Sequence, residues 1–204
     1  NLSINDHAYD FTLSTNSNNY GCDIGGRSYN SWDHVIFTWD GSKIRSYKNG
    51  IIVDSTNTQG TLQSYPGPFN MGYLDEGPYN SYYKGYLDEI AVWGSTLSSS
   101  EIVAFYNNGD PIPASVAAGN YQSSANLAGY WRFNTGTGTT VYDETSNDFD
   151  GTINGSTWIA NSPRIISIPS DLSANLTETQ VALTWTENPE DDLANYRLYR
   201  GNSS

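Results

Sequence analysis

The stretch Trp32-Asp-His-Val-Ile-Phe-Thr-Trp-Asp-Gly-Ser-Lys-Ile-Arg-Ser-Tyr-Lys-Asn-Gly-Ile-Ile-Val-Asp-Ser-Thr56 decides the fold class of this chain. Two dipeptides, Asp40-Gly41 and Asn49-Gly50, divide it into three short runs. Asp-Gly and Asn-Gly readily adopt the positive φ values of a type I′ hairpin, so each dipeptide predicts a tight turn. Side chains of alternating character between the turns predict one buried and one solvated face. We therefore expect an antiparallel three-stranded meander.

The composition extends this expectation to the rest of the chain. Aromatic residues make up 14% of it and charged residues 15%, which is typical of a buried sandwich core and excludes a disordered chain. Nineteen glycines and few helical patterns favour an all-β fold with many turns. Ser98 and Glu101 have the spacing of a capping box and predict one short helix through Tyr106, ended by Gly109. We predict an all-β, antiparallel β-sandwich with one short helix; the resemblance described below implies that it is a jelly roll.

The charge and the hydropathy pattern exclude several classes of partner. The net charge of −13 argues against binding nucleic acid or an anionic membrane, because like charges repel. No apolar run is long enough to span a bilayer, and no signal peptide is recognisable. The chain begins at Asn1 rather than at a methionine, so we expect a processed or excised segment. Cys22 has no partner for an intrachain disulfide and is predicted to be a small buried apolar residue.

Several motifs resemble the later half of a laminin-G-like, concanavalin A-type jelly roll. They lie at residues 32–35, 38–41, 47–50, 85–93 and 97–102. A second block, 127–155, resembles the opening strand and loop of the same family. The motif order is therefore inverted. The resemblance implies a jelly roll over residues 1–160 in which 127–158 supplies the early strands.

The end of the chain resembles the start of a fibronectin type III module, an immunoglobulin-like sandwich, in residues 163–204. Such a module needs about seven strands, whereas this segment supplies three, at 172–176, 180–186 and 196–200. We therefore predict a partial fibronectin-like sandwich. Its missing strands would come from a neighbouring molecule or from chain outside this sequence, whereas the jelly roll would be completed internally.

The resemblance includes glucanases, so the carboxylates need to be weighed as catalytic residues. Retaining glycosidases place two carboxylates about 5 Å apart. Residues 87–93 are predicted to form a strand, which would point the adjacent Asp88 and Glu89 to opposite faces. His7 and His34 are far apart in sequence, and with one cysteine they form no zinc-ligand pattern. We predict that the chain is not an enzyme.

A loop rich in oxygen ligands is the candidate metal site. Its residues are Asp143, Asn147, Asp148 and Asp150, followed by Gly151. Hard cations such as calcium prefer such oxygen ligands, although the spacing is not that of an EF-hand. The family resemblance also implies calcium near this loop. The alternative is a solvated Asx-rich turn in which short polar side chains satisfy their own backbone.

Aromatic and amide side chains form the candidate ligand site, because aromatic rings can pack on sugar faces while amides form hydrogen bonds. The candidate residues are Tyr65, Asn70, Tyr79, Asn80, Tyr82 and Tyr83. The alternative is that these rings pack across the sandwich rim with their hydroxyls in water. The tryptophans predicted to lie in the core are Trp32, Trp39, Trp93, Trp131 and Trp185.

Two non-catalytic functions remain open. The first is an extracellular or cell-surface adhesion module that binds carbohydrate or a surface protein, with calcium as the only cofactor considered. The second is a structural subunit of a surface filament or array, a homopolymer assembled through open sheet edges by intermolecular β-strand complementation. Neither involves nucleic acid or insertion into a membrane.

Overall fold

The computed structural model describes residues 2–4, 8–26, 28–63, 67–74, 81–159, 173–176 and 181–184. The chain divides into two compact units, Asn1–Arg164 and Ile165–Ser204. The strands of the first unit are β1 (Leu2–Ile4), β2 (Ala8–Ser14), β3 (Asn19–Gly26), β4 (Val35–Trp39), β5 (Lys43–Lys48), β6 (Ile51–Asn57), β7 (Tyr73–Leu74), β8 (Ser81–Tyr82), β9 (Ile90–Trp93), β10 (Leu127–Trp131), β11 (Thr140–Val141) and β12 (Gly151–Thr152). Its helix is α1 (Ser99–Tyr106). All described pairings are antiparallel, which confirms the predicted all-β fold class.

The predicted meander is the three-stranded sheet β4-β5-β6. Its second turn is type I′ as predicted, because Asn49 and Gly50 have φ values of 53° and 76°. The type I′ prediction for the first turn is wrong. Only Gly41 has positive φ there, at 93°, and Asp40 N donates to Lys43 O at 3.2 Å. This fits a type II′ turn with Gly41 as its first central residue.

Both faces of the meander are covered. On one face Ile44 packs with Leu13 and Cys22 of the β2-β3 hairpin, which confirms the predicted burial of Cys22. The opposite face was predicted to be solvated, but its Tyr47 is buried in the core cluster that contains Phe105 of α1. The prediction failed there because alternation along a strand does not reveal that a helix covers the second face.

Helix α1 begins as the sequence predicts. Ser98 is the N-cap, Glu101 N donates to Ser98 Oγ at 3.3 Å, and Ser98 N donates to Glu101 Oε2 at 3.0 Å. The helix ends at Tyr106, as predicted, but the residue that ends it is Asn107 and not Gly109. Asn107 already has left-handed φ, at 46°, and its N–H bonds to Val103 O. Asn tolerates this conformation better than most residues, so it can end a helix as glycine does.

Strands β9 and β10 pair directly, with Trp93 opposite Leu127 and Ile90 opposite Trp131. The block that resembles the later half of the family and the block that resembles its opening strand are therefore neighbours in one sheet.

The predicted strand over 87–93 is too long, because Glu89 has left-handed φ, at 51°, and the ladder begins only at Ile90. The extents of the two domains stay a prediction.

The connection between α1 and β10 is packed into the core. Ala114 and Tyr121 are fully buried there, and Tyr121 Oη donates to Ala114 O at 2.6 Å. Residues 123–126 form a 3₁₀ turn directly before β10. The segment is therefore a wrapped connection and does not act as a free linker.

In the second unit the structure describes one antiparallel hairpin, β13 (Ser173–Leu176) and β14 (Val181–Thr184). These strands coincide with the first two predicted strands of the fibronectin-like segment. The third predicted strand, 196–200, and Trp185 lie outside the described residues. The fibronectin type III assignment stays a prediction.

Candidate functional site

Of the predicted core tryptophans that the structure describes, three lie in the core and one lies at the surface. Trp39 and Trp93 pack against the two core clusters, and Trp131 is buried in β10. The core prediction is wrong for Trp32, which is 39% exposed. Because β4 begins only at Val35, Trp32 lies in the preceding loop and takes no part in the strand alternation.

We use the term aromatic surface for Trp32, Asn70, Tyr73, Tyr82 and Tyr86. Tyr73 and Tyr82 are directly opposite in the β7-β8 hairpin, and their ring centroids are 5.1 Å apart. Tyr82 is 69% exposed, whereas Tyr73 is half-buried. The inner ring therefore supports the outer one, as cross-strand aromatic pairs do.

A second ring pair joins Trp32 to Tyr86. The ring centroids are 6.2 Å apart with an interplanar angle of 37°, and Tyr86 is 62% exposed. The sequence prediction of ligand residues missed both. The signal for Trp32 was present, because Asp33 and His34 separate it from the apolar alternation that begins at Val35.

Two chain segments of the aromatic surface, residues 70–73 and 82–86, lie side by side. Tyr83 N donates to Gly72 O at 2.9 Å. A Cβ added to Gly72, which has φ of 75°, would stand 3.2 Å from Leu87 Cδ1. Gly72 therefore allows the two segments to approach closely. Asn70, an exposed amide, lies two residues before this contact.

The structure tests the exposure of half of the predicted ligand residues. Asn70 and Tyr82 are exposed, and Tyr83 is half-buried. Tyr65, Tyr79 and Asn80 lie outside the described residues. Phe69, which was not predicted as a ligand residue, stacks on Trp131 with ring centroids 5.5 Å apart. The role of the predicted residues in ligand binding stays a prediction.

Asp143, the first predicted calcium ligand, is surrounded by hydrogen-bond donors. Its Oδ1 accepts from Tyr130 N at 2.9 Å and Thr145 N at 3.0 Å. Its Oδ2 accepts from Thr145 Oγ1 at 2.9 Å and Phe149 N at 3.0 Å. Although burial opposes it, these bonds lower the pKa of Asp143. About four lone-pair sites exist on a carboxylate, so all of those on Asp143 are engaged.

The other predicted calcium ligands lie in the same loop. Asp150 Oδ1 accepts from Asp143 N at 2.9 Å, and Asn147 Nδ2 donates to Ala128 O at 3.1 Å. Asp148 is exposed, with left-handed φ of 54°. Among the described residues no group of three or more His, Cys, Asp or Glu side chains is placed to hold a metal ion. The bonds of Asp143 and Asp150 are those of a self-satisfied Asx-rich turn, and calcium binding stays a prediction.

Glu89 and Asp88 have different partners. The Glu89 carboxylate accepts a hydrogen bond from the Tyr130 hydroxyl and pairs with Arg132, Nε to Oε1, at 3.2 Å. Asp88 Oδ1 instead accepts from Glu89 N at 3.0 Å. Burial raises the pKa of Glu89 to about 7, and burial also raises the pKa of Tyr130. The Glu89 carboxyl therefore faces the Tyr130 hydroxyl and the Arg132 guanidinium.

A comparison with family models matches residues 2–103, half of the chain, to the laminin G-like model of the concanavalin A-like lectin/glucanases superfamily. The chain belongs to this superfamily. Membership supports a lectin-like module that binds carbohydrate or protein. The matched range includes the whole of the aromatic surface but ends before the Asp143 loop.

The chain was also compared with solved structures and with curated proteins. The S-layer domain-containing protein (residues 221–444) from Clostridium thermocellum ATCC 27405, solved at 2.1 Å, is 24% identical to the chain with a TM-score of 0.30. The match covers 48% of this chain and 51% of that chain, so the chain spans about half of its length. No curated protein matches significantly. No described helix is both long and apolar enough to cross a bilayer.

Proposed function

We propose that the first unit is a non-catalytic adhesion module that binds carbohydrate through the aromatic surface. The observation that carries this proposal is the Tyr73–Tyr82 pair, in which a supported ring is held open to solvent. Single exposed rings are common on protein surfaces, whereas neighbouring exposed apolar side chains mark interaction sites, and Tyr82 and Tyr86 are both exposed here. Their flat apolar faces and polar edges suit sugars, which also combine apolar and polar faces.

Pre-organisation adds to the suitability of this surface. Tyr82 is held by a β-hairpin ladder and by the ring of Tyr73, and Tyr86 is held by Trp32. A ligand that binds rings already fixed in place loses little side-chain entropy on binding. The exposed Asn70 amide can both donate and accept hydrogen bonds with sugar hydroxyls.

The test is a glycan array with the wild-type chain and the Tyr82→Ala variant. We expect binding that Tyr82→Ala weakens about tenfold or more, as loss of a stacked ring does. The matched control is Tyr142→Ala, which removes another exposed tyrosine and should leave binding unchanged. Equal binding by both variants and the wild type would place the ligand elsewhere and contradict the proposal.

We also propose an extracellular or cell-surface location and a non-enzymatic role. The lectin-like superfamily is a binding fold and is generally non-catalytic, and Glu89 is already bound to Tyr130 and Arg132. Assays with β-glucans should therefore show no turnover. The role of calcium as a cofactor of this binding is tested by repeating the array in calcium and in chelator.

A second candidate function is assembly of copies through a sheet edge. Ile51, Ile52 and Val53, at the start of β6, are all exposed, and Ile51 is 70% exposed. In the described part of the chain β6 has only β5 as its ladder partner. An exposed apolar edge strand is a template for pairing with another chain.

A further inference from the structure

Along the chain, a lysine lies between two tyrosines of the aromatic surface. Lys84 is exposed and is two residues away from both Tyr82 and Tyr86. Two residues of extended chain span at most about 7 Å, so the Cα atom of Lys84 lies within that distance of each tyrosine Cα. The ammonium group sits on a flexible four-carbon stem. It can therefore reach a ligand that packs on either ring.

Lys84 differs from most basic residues of the described chain because it has no acidic partner. Arg45 pairs with Asp40, Lys48 with Asp33 and Arg132 with Glu89, at N–O distances of 2.6, 3.1 and 3.2 Å. Within the described ranges Lys43 and Lys84 form no ion pair. Lys43 belongs to β5 of the meander, whereas Lys84 lies between two exposed tyrosines.

We infer that the aromatic surface takes an acidic oligosaccharide, whose anionic group pairs with Lys84 while its sugar rings pack on Tyr82 and Tyr86. This inference rests on the proposed function and names its ligand class. Charge complementarity carries it: an exposed ammonium that forms no ion pair within the described ranges attracts a carboxylate or sulfate. The net charge of −13 repels a densely charged polyanion. The ligand therefore carries isolated acidic groups on an otherwise neutral sugar chain.

The experiment compares sets of oligosaccharides that share one backbone and differ in charge. Lactose, 3′-sialyllactose and 3′-sulfated lactose form one set, and neutral and glucuronate-bearing xylo-oligosaccharides form another. Affinities are measured by titration calorimetry with wild type, Lys84→Gln, Lys84→Arg and Lys43→Gln. Lys43→Gln is the matched control because it removes the same charge from the meander.

We expect tighter binding of the acidic members of at least one set. Lys84→Gln should weaken this binding about fivefold, the size expected for an exposed ion pair, and should leave the neutral members unaffected. Lys84→Arg should keep the preference, and Lys43→Gln should match the wild type. The carboxylated and sulfated members separate the two sources of negative charge.

Two results would overturn the inference in different ways. If neutral and acidic members bind equally and Tyr82→Ala abolishes both, the acidic preference is wrong and the carbohydrate module stands. If no member of any set binds and the glycan array is also empty, the inference and the proposed function fail together. If Lys84→Gln and Lys43→Gln lose the same affinity for the acidic members, the effect is one of general charge, and the inference is also overturned.

Discussion

Glu89 and His34 are ionisable side chains whose burial gives opposite responses to pH. Burial raises the pKa of Glu89 to about 7 from its ordinary 4.5, and it lowers the pKa of His34 to about 4 from 6.5. His34 packs against the rings of Phe105 and Tyr106, and its buried Nδ1 has no partner. Burial therefore favours the neutral form of each group.

The first prediction separates the two groups by mutation. The native state binds the Glu89 proton more tightly than the unfolded state does, so its contribution to the free energy of unfolding is lost as pH rises from about 4.5 to 7. The His34 contribution is instead lost as pH falls from about 6.5 to 4. Between pH 5 and 7, Glu89→Gln should become more stable with rising pH and His34→Phe less stable. Urea unfolding at several pH values measures this, and identical slopes would contradict it.

The second prediction concerns Asp143. Asp143→Asn replaces an acceptor oxygen by a donor that faces backbone N–H groups, so it should lower the free energy of unfolding by about 1–3 kcal/mol. The loss should be the same in calcium and in chelator, because the four donors hold the carboxylate without a metal. Asp148→Asn, at an exposed position in the same loop, is the control and should change little. A loss seen only in calcium would instead support a metal site.

At the scale of elements, the meander depends on its turns and on the helix above them. Gly50 lies against α1, and a Cβ added there would stand 2.9 Å from Tyr106 Cδ1. Gly41 also has positive φ, at 93°, but open space around it. The two glycines therefore separate the cost of backbone conformation from the cost of packing.

The third prediction uses this difference. Gly41→Ala should cost about 1–2 kcal/mol, since an L side chain is strained at positive φ. Gly50→Ala should cost more, because the added methyl group also displaces Tyr106. Thermal unfolding of both variants measures the difference. Equal losses would mean that α1 moves aside without cost.

At the scale of the whole molecule, the exposed start of β6 decides between a binding module and an assembling subunit. The net charge of −13 keeps copies apart at low ionic strength, whereas an apolar edge draws them together at high salt. Association through β6 should therefore strengthen as salt screens the repulsion.

The fourth prediction tests that assembly directly. If β6 pairs between copies, the sedimentation coefficient of the wild type should rise with concentration, and Val53→Lys should remain monomeric because a charged edge blocks pairing. Val103→Lys places the same charge on an exposed valine of α1 and should behave as the wild type. A wild type that stays monomeric at all concentrations and salts would reject assembly and leave the adhesion module.

The sequence by itself determined the features that depend on a few neighbouring residues. The Asn49-Gly50 turn and the capping box of Ser98 and Glu101 are local, because each is made by atoms close together along the chain. The all-β class follows similarly from alternation and turn residues. At the Asp40-Gly41 turn even local chemistry was ambiguous, since more than one turn type suits the same dipeptide.

Only the tertiary structure decided which distant segments meet. Trp32 became a surface residue because β4 begins after it and Tyr86 lies beside it. Glu89 became a buried carboxyl because β9 pairs with β10, which carries Tyr130 and is followed directly by Arg132. The burial and the hydrogen bonds of these residues depend on contacts between segments that are far apart in sequence, so no pattern of neighbouring residues could have specified them.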